Sequence, residues 1–130
     1  MSVGSVDEPG RAFEEMAGKK VDLLFPANLV FSSSNLREIG ERSLKARLPL
    51  FTSYVDFIAM AGLAAYGTRR EENFRRAAAL THQILRGANP GDLPIEQPSG
   101  WELVLNLRTA KAIGVTVPPV ILLRADRVIE

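Results

Sequence analysis

Cysteine is absent from the 130 residues. Disulfides, thiolate catalysis and thiolate metal sites are therefore excluded. Histidine occurs once, as His82, and tryptophan once, as Trp101. A metal site would have to rest on carboxylates alone, so His82, inside a helical segment, reads as a structural or surface residue, and no metal or cofactor is assigned. Neither charge sign dominates: 16 Lys and Arg face 15 Asp and Glu, for a net charge of +1. The basic residues are scattered among acidic neighbours, as in Arg37-Glu38 and Arg69-Arg70-Glu71-Glu72. A nucleic-acid binder needs clustered cations to displace counterions from phosphates, so nucleic acid is not read as a partner. No stretch approaches the ~20 apolar residues that span a bilayer. Residues 1–10 lack a basic segment followed by an apolar run, so no secretory signal is read there, and this chain taken as complete is expected in the cytosol.

What the sequence does hold is 46% hydrophobic and 24% charged residues, a composition that supports one domain with one ordinary core. Asp7-Glu8-Pro9-Gly10 reads as a helix start, with Asp7 as a cap and Pro9 at an early helical position. Phe13 and Met16 follow at helical spacing, and Gly18 ends that helix. The apolar run at 21–25, stopped by Pro26, reads as a buried parallel strand. After Ser32-Ser33-Ser34-Asn35, any of which can cap, Leu36, Ile39 and Leu44 mark a helix to about Arg47. Short strands are predicted at 49–53 and 63–66, with a short helix between them broken by Gly62.

A long helix is predicted over 69–85, with Phe74, Ala77, Ala78, Thr81, Ile84 and Leu85 as its apolar stripe and Gly87 closing it. Pro90, Pro94 and Pro98 make 88–100 an extended connector. A strand at 102–106, a helix at 107–113 ended by Gly114, a helical turn from Pro118-Pro119 and an ambiguous tail complete the chain. Strands alternating with helices imply an α/β fold with a parallel sheet covered on two sides.

No catalytic constellation emerges. Glu14-Glu15 and Glu71-Glu72 are helical neighbours pointing about 100° apart, so they do not converge on one reacting atom. Ser32-Ser33-Ser34 lacks the Gly-x-Ser-x-Gly elbow and serves as a helix cap or a ligand contact. In open α/β sheets small molecules bind beyond the carboxyl ends of strands. On that argument Asn28, Ser32, Ser53, Tyr54 and Tyr66 are the candidate ligand contacts, and their loops are expected along one rim. Trp101 is read as packing the strand that follows, with ligand stacking as the alternative.

The second half carries longer matches. Ala61-Gly62-Leu63-Ala64-Ala65-Tyr66-Gly67 resembles the "GGL-x-SYG" stretch of a family of ABC-transporter substrate-binding proteins. Arg75-Arg76-Ala77-Ala78 is similar to its "RRAA", and residues 84–98 to its "ILKGAKPADLPVEQP". Residues 102–114 resemble "ELVINLKTAKALG", and Val117-Pro118-Pro119 with residues 122–130 resemble the ending "IPP…LLRADEVIE". The matches run in order from about residue 45 to the last. Upstream, Pro26-Ala27-Asn28 is similar to a Pro-Asp or Pro-Thr-Asp-Asn site, with Ala27 where an acidic or hydroxyl residue is common.

The resemblance implies a two-lobed, type I periplasmic-binding fold built of three-layer α/β/α sandwiches with mainly parallel sheets, of which this chain supplies a part. It implies that 1–67 form the carboxy-terminal-lobe portion and 68–130 the crossover helix, Pro-rich connector and terminal elements of the inter-lobe region. A small solute such as an amino acid would sit between the lobes, an ABC permease would be the partner, and the setting would be periplasmic or membrane-anchored. An interaction or sensing module acting through dimerisation is the alternative, and an enzyme with an unrecognised site is a third reading. The stripe of helix 69–85 should pack on a sheet this chain mostly lacks, so a homodimer through that helix is expected.

Overall fold

The computed structural model describes residues 9–17, 19, 21–26, 33–98 and 100–130. Helix α1, Pro9–Ala17, begins on the proline, whose fixed φ and missing N–H suit a first helical turn. The Asp7 cap and the Gly18 stop proposed from the sequence lie outside the described residues. Helix α2, Ser33–Lys45, ends where Arg47 enters the left-handed region at φ 52° and the buried Ser43 hydroxyl donates to the Leu48 carbonyl at 2.6 Å. Strand β1, Phe51–Thr52, leads into a 3-10 turn, Val55–Met60, whose Val55, Phe57 and Ile58 are buried. Ala61 closes that turn at φ 126°, a conformation that costs a side-chain-bearing residue on the order of 1–3 kcal/mol. It is the position at which the resembled "GGL" stretch carries glycine.

Strand β2, Ala64–Thr68, precedes helix α3, Arg70–Leu85. The connector contains one short 3-10 turn, Pro90–Asp92, capped by the Asn89 side chain. Strand β3, Trp101–Asn106, runs directly into helix α4, Leu107–Ile113. Asn106 makes that junction: its side-chain oxygen accepts from the Thr109 backbone N–H at 3.1 Å, and its amide donates to the Ile58 carbonyl at 3.1 Å. Helix α5, Pro119–Leu122, and strand β4, Arg127–Ile129, complete the chain. The ambiguous tail is thus an edge strand.

The sheet order is β1-β2-β3-β4. Pairs β1/β2 and β3/β4 are parallel, and β2/β3 is antiparallel. The mixed α/β fold with a mostly parallel sheet is therefore present, and its one antiparallel pair has a topological cause. The chain leaves the sheet at Thr68 through α3 and returns along the connector into the neighbouring position from the same end. The run at 21–25 contributes a single parallel bridge, Leu24 to Leu50.

Strand alternation puts Ala65 and Val104 on one face, where they pack with Val55 and Ile58 of the 3-10 turn and with Ile129. A second cluster joins Ile39, Leu50 and Phe57, with Phe13, Leu24 and Leu36 packed against it. Helix α3 stands apart from both clusters: none of its residues is buried.

Candidate ligand-binding site

Because β1 and β2 are parallel, their carboxyl ends share one rim. Thr52, fully buried, accepts from the Tyr54 backbone N–H at 3.1 Å through its hydroxyl, which turns the chain sharply after β1. The Tyr54 carbonyl then accepts from the Phe57 N–H at 3.0 Å and starts the 3-10 turn. The result is an exposed polar tip, Ser53 and Tyr54, on a buried base.

Gly67 sets the height of that tip. A Cβ at Gly67 would overlap the Ser53 carbonyl oxygen and lie 2.9 Å from the Ser53 carbonyl carbon. The loop therefore rests directly on the β2 backbone, and only glycine leaves room.

Tyr66 occupies the same end of the sheet but the other face. Alternation sends Ala65 and Gly67 toward the 3-10 turn and Tyr66 away from it. Its ring is stacked on Trp101, with centroids 5.3 Å apart and planes at 23°. Trp101, read as packing the strand that follows it, is 52% exposed, and its cross-strand stack with Tyr66 of β2 covers part of it. The structure thus brings Ser53 and Tyr54 together and separates Tyr66 from them by the thickness of the sheet. Asn28 and Ser32 lie outside the described residues.

Sequence reasoning missed the charged groups around this rim. Glu102 has a side chain only 12% exposed and is shared by two arginines, Arg69 Nε at 3.6 Å and Arg127 Nε at 3.3 Å. Arg127 also donates to the Val55 carbonyl at 3.5 Å, and Arg70 pairs with Asp56 at 3.5 Å. These residues are far apart in sequence, and only the register Gly67 to Glu102 and Val104 to Arg127 brings them together. The one available signal was the placement of Arg69 at the start of a predicted helix and of Glu102 at the start of a predicted strand.

Chemically, the rim offers a hydroxyl and a phenol, which suit recognition by hydrogen bonding and ring contact. His82 is exposed in the last turn of α3, away from this set. Among the described residues no three His, Asp or Glu side chains cluster to hold a metal, and no helix is long and apolar enough to cross a membrane.

Residues 2–129 match the family described as "ABC transporter substrate binding protein". The chain belongs to this family. Families of this kind bind solutes for transport, and their members are usually periplasmic or extracellular. Among solved structures, this chain is similar to an ABC domain in complex with L-Trp from Streptococcus pneumoniae. The TM-score is 0.87 and the identity 25%, over 99% of this chain and 43% of that one. A conserved domain protein from Vibrio cholerae aligns with a TM-score of 0.86 at 23% identity, over 98% of this chain and 43% of that one. Among curated proteins, a tyrosine-binding protein of Clostridioides difficile is 25% identical over 113 residues, which are 85% of this chain and 32% of that protein. The chain therefore spans less than half the length of these relatives.

Proposed function

We propose that this chain is the carboxy-terminal part of a receptor that delivers an amino acid, aromatic in side chain, to an ABC permease, without catalysing a reaction. The observation that carries the reading is the rim of Ser53 and Tyr54, held over Gly67 at the carboxyl ends of two parallel strands. Such an edge is where open α/β sheets take small ligands. The choice of an aromatic amino acid draws on two relatives, one in complex with L-Trp and one described as tyrosine-binding. In this reading residues 1–67 supply the carboxy-terminal lobe and 68–130 the inter-lobe region, with β3 and β4 returning to complete the lobe's sheet. Asn28, Ser32 and Tyr66 remain proposed contacts of the same cleft, Tyr66 from the opposite face of the sheet. The complete receptor would work outside the cytoplasmic membrane.

Titration calorimetry with L-Trp, L-Tyr, L-Phe and L-Leu tests this. The aromatic three should bind more tightly than leucine. The double variant Ser53→Ala with Tyr54→Ala should lose roughly tenfold or more in affinity, as expected for one or two lost hydrogen bonds. Both side chains are exposed, so its melting temperature should stay near that of the parent. Unchanged affinity would move the site away from this rim.

A second reading concerns the chain on its own, and α3 favours it. Phe74 is 66% exposed and Leu85 81%, on a helix with no buried residue. Ala77, Ala78 and Thr81 lie between them at helical spacing, leaving a smooth strip that another helix can approach closely. We infer that a second copy of the chain covers this strip when nothing else does. Sedimentation velocity at micromolar concentration should give a dimer, and Phe74→Glu with Leu85→Glu should give a monomer; a monomeric parent would end this reading.

A further inference from the structure

We propose that Glu102 is a positioning residue that couples the Ser53 and Tyr54 rim to the start of α3. Both of its carboxylate oxygens are engaged, Oε2 with Arg69 and Oε1 with Arg127. Arg69 is the last residue before α3, and Arg127 is the first residue of β4. One carboxylate therefore spans the point where the chain departs from the sheet and the strand at the sheet's far edge.

The connection continues in both directions. From Arg127 it runs to the Val55 carbonyl, directly behind the rim. From Arg69 it runs along the backbone to Arg70, whose guanidinium meets Asp56, the second residue of the same 3-10 turn. The loop behind the rim is thus held from two sides, by Arg127, itself a partner of Glu102, and by Arg70, which follows the other partner, Arg69. The Arg69 N–H also donates to the Gly100 carbonyl at 3.1 Å, which keeps Arg69 in register beside β3.

An isolated exposed ion pair contributes little, because water screens it and two long side chains must be ordered. Glu102 differs in being largely shielded and in serving two cations at once. Removing its charge leaves Arg69 and Arg127 as neighbouring like charges with no anion between them. Each is half-exposed and can swing into water, so the expected result is a looser loop rather than an unfolded chain. A displacement of α3 relative to the sheet acts on Arg69 and Arg70 first and reaches the rim by these same contacts. The value of this coupling to ligand affinity rests on the rim being the ligand site; the coupling itself does not.

Hydrogen–deuterium exchange on the full 130-residue chain separates the two. In Glu102→Gln the amides of Tyr54, Phe57 and Ala61, each hydrogen-bonded within this loop, should exchange roughly fivefold faster, the effect of about 1 kcal/mol of local stability. Arg127→Gln should reproduce the effect at the same amides. Glu96→Gln, which removes the partner of Arg76 between α3 and the connector, should leave them unchanged. Binding of L-Trp should weaken in Glu102→Gln and Arg127→Gln and not in Glu96→Gln. Parental exchange at those amides in both Glu102→Gln and Arg127→Gln would overturn the proposal, whether or not any amino acid binds. Faster exchange in a chain that binds no amino acid would uphold the coupling and remove the ligand reading alone.

Discussion

Gly67→Ala is expected to lower the melting temperature by about 10 °C. The added methyl has no free volume: it would overlap the Ser53 carbonyl oxygen, with the Ser53 carbonyl carbon at 2.9 Å and its Cα at 3.6 Å. All three are backbone atoms of a loop fixed by the Thr52 hydroxyl and by the buried Val55, Phe57 and Ile58. No side-chain rotation relieves the overlap, so either the loop lifts or β2 shifts against Glu102, its partner in β3. Overpacking of this kind costs roughly 1–3 kcal/mol or somewhat more, and in a chain of this size each kcal/mol moves the midpoint by about 4 °C. Stability and amino-acid binding should fall together, because the displaced loop is the proposed rim. Circular-dichroism melting and calorimetry on one preparation check both; an unaltered midpoint would mean that the loop does not rest on β2.

Leu50→Ala should cost roughly 2–5 kcal/mol, the range for emptying a core leucine site. Leu50 is 0% exposed and sits between Ile39 of α2 and Phe57 of the 3-10 turn, with Phe13, Leu24 and Leu36 closing around it. These neighbours come from four separate stretches of chain, so they collapse into the space incompletely. Leu123→Ala provides the contrast. Leu123 is 87% exposed, and its truncation should change stability by about 0.5 kcal/mol or less. Urea denaturation followed by circular dichroism would show the two midpoints well apart; similar midpoints would argue against Leu50 as a core residue.

Local signals in the sequence carried most of the elements. The limits of α3 and α4 follow from helical spacing and from Gly87 and Gly114, which adopt φ of 101° and 77° just past the helix ends. Short apolar runs located β1, β2 and β3. Pairing direction was not legible, because a buried apolar strand looks the same whichever way its neighbour runs. The tail at 127–129 became a strand only through its register with Val104, Leu105 and Asn106, a distant segment. The strand read at 21–25 is reduced to one bridge, since little of it is covered: Leu23 and Phe25 are 52% and 46% exposed.

For the site, the carboxyl-end rule placed Ser53 and Tyr54 together because it depends only on parallel neighbours. It could not assign Tyr66 to a face, which requires the pleat phase of β2 relative to Ala65 in the core. The scattered charges read as ordinary solvated surface, and most are; Glu71 with Arg75 is an exposed helical pair of that kind. Glu102 is the exception, and its two partners are assembled by the sheet register and invisible to spacing along the chain.

The order in which strands join has an entropic cost of its own. Phe51 pairs with Ala64 after a short excursion, whereas Ala64 pairs with Leu105 only after α3 and the whole connector have been traversed. Loop-closure entropy makes the second ladder harder to close than the first by about 1 kcal/mol. On that ground β1, the 3-10 turn and β2 are expected to assemble as an early unit, with the docking of β3 as the slower, later event.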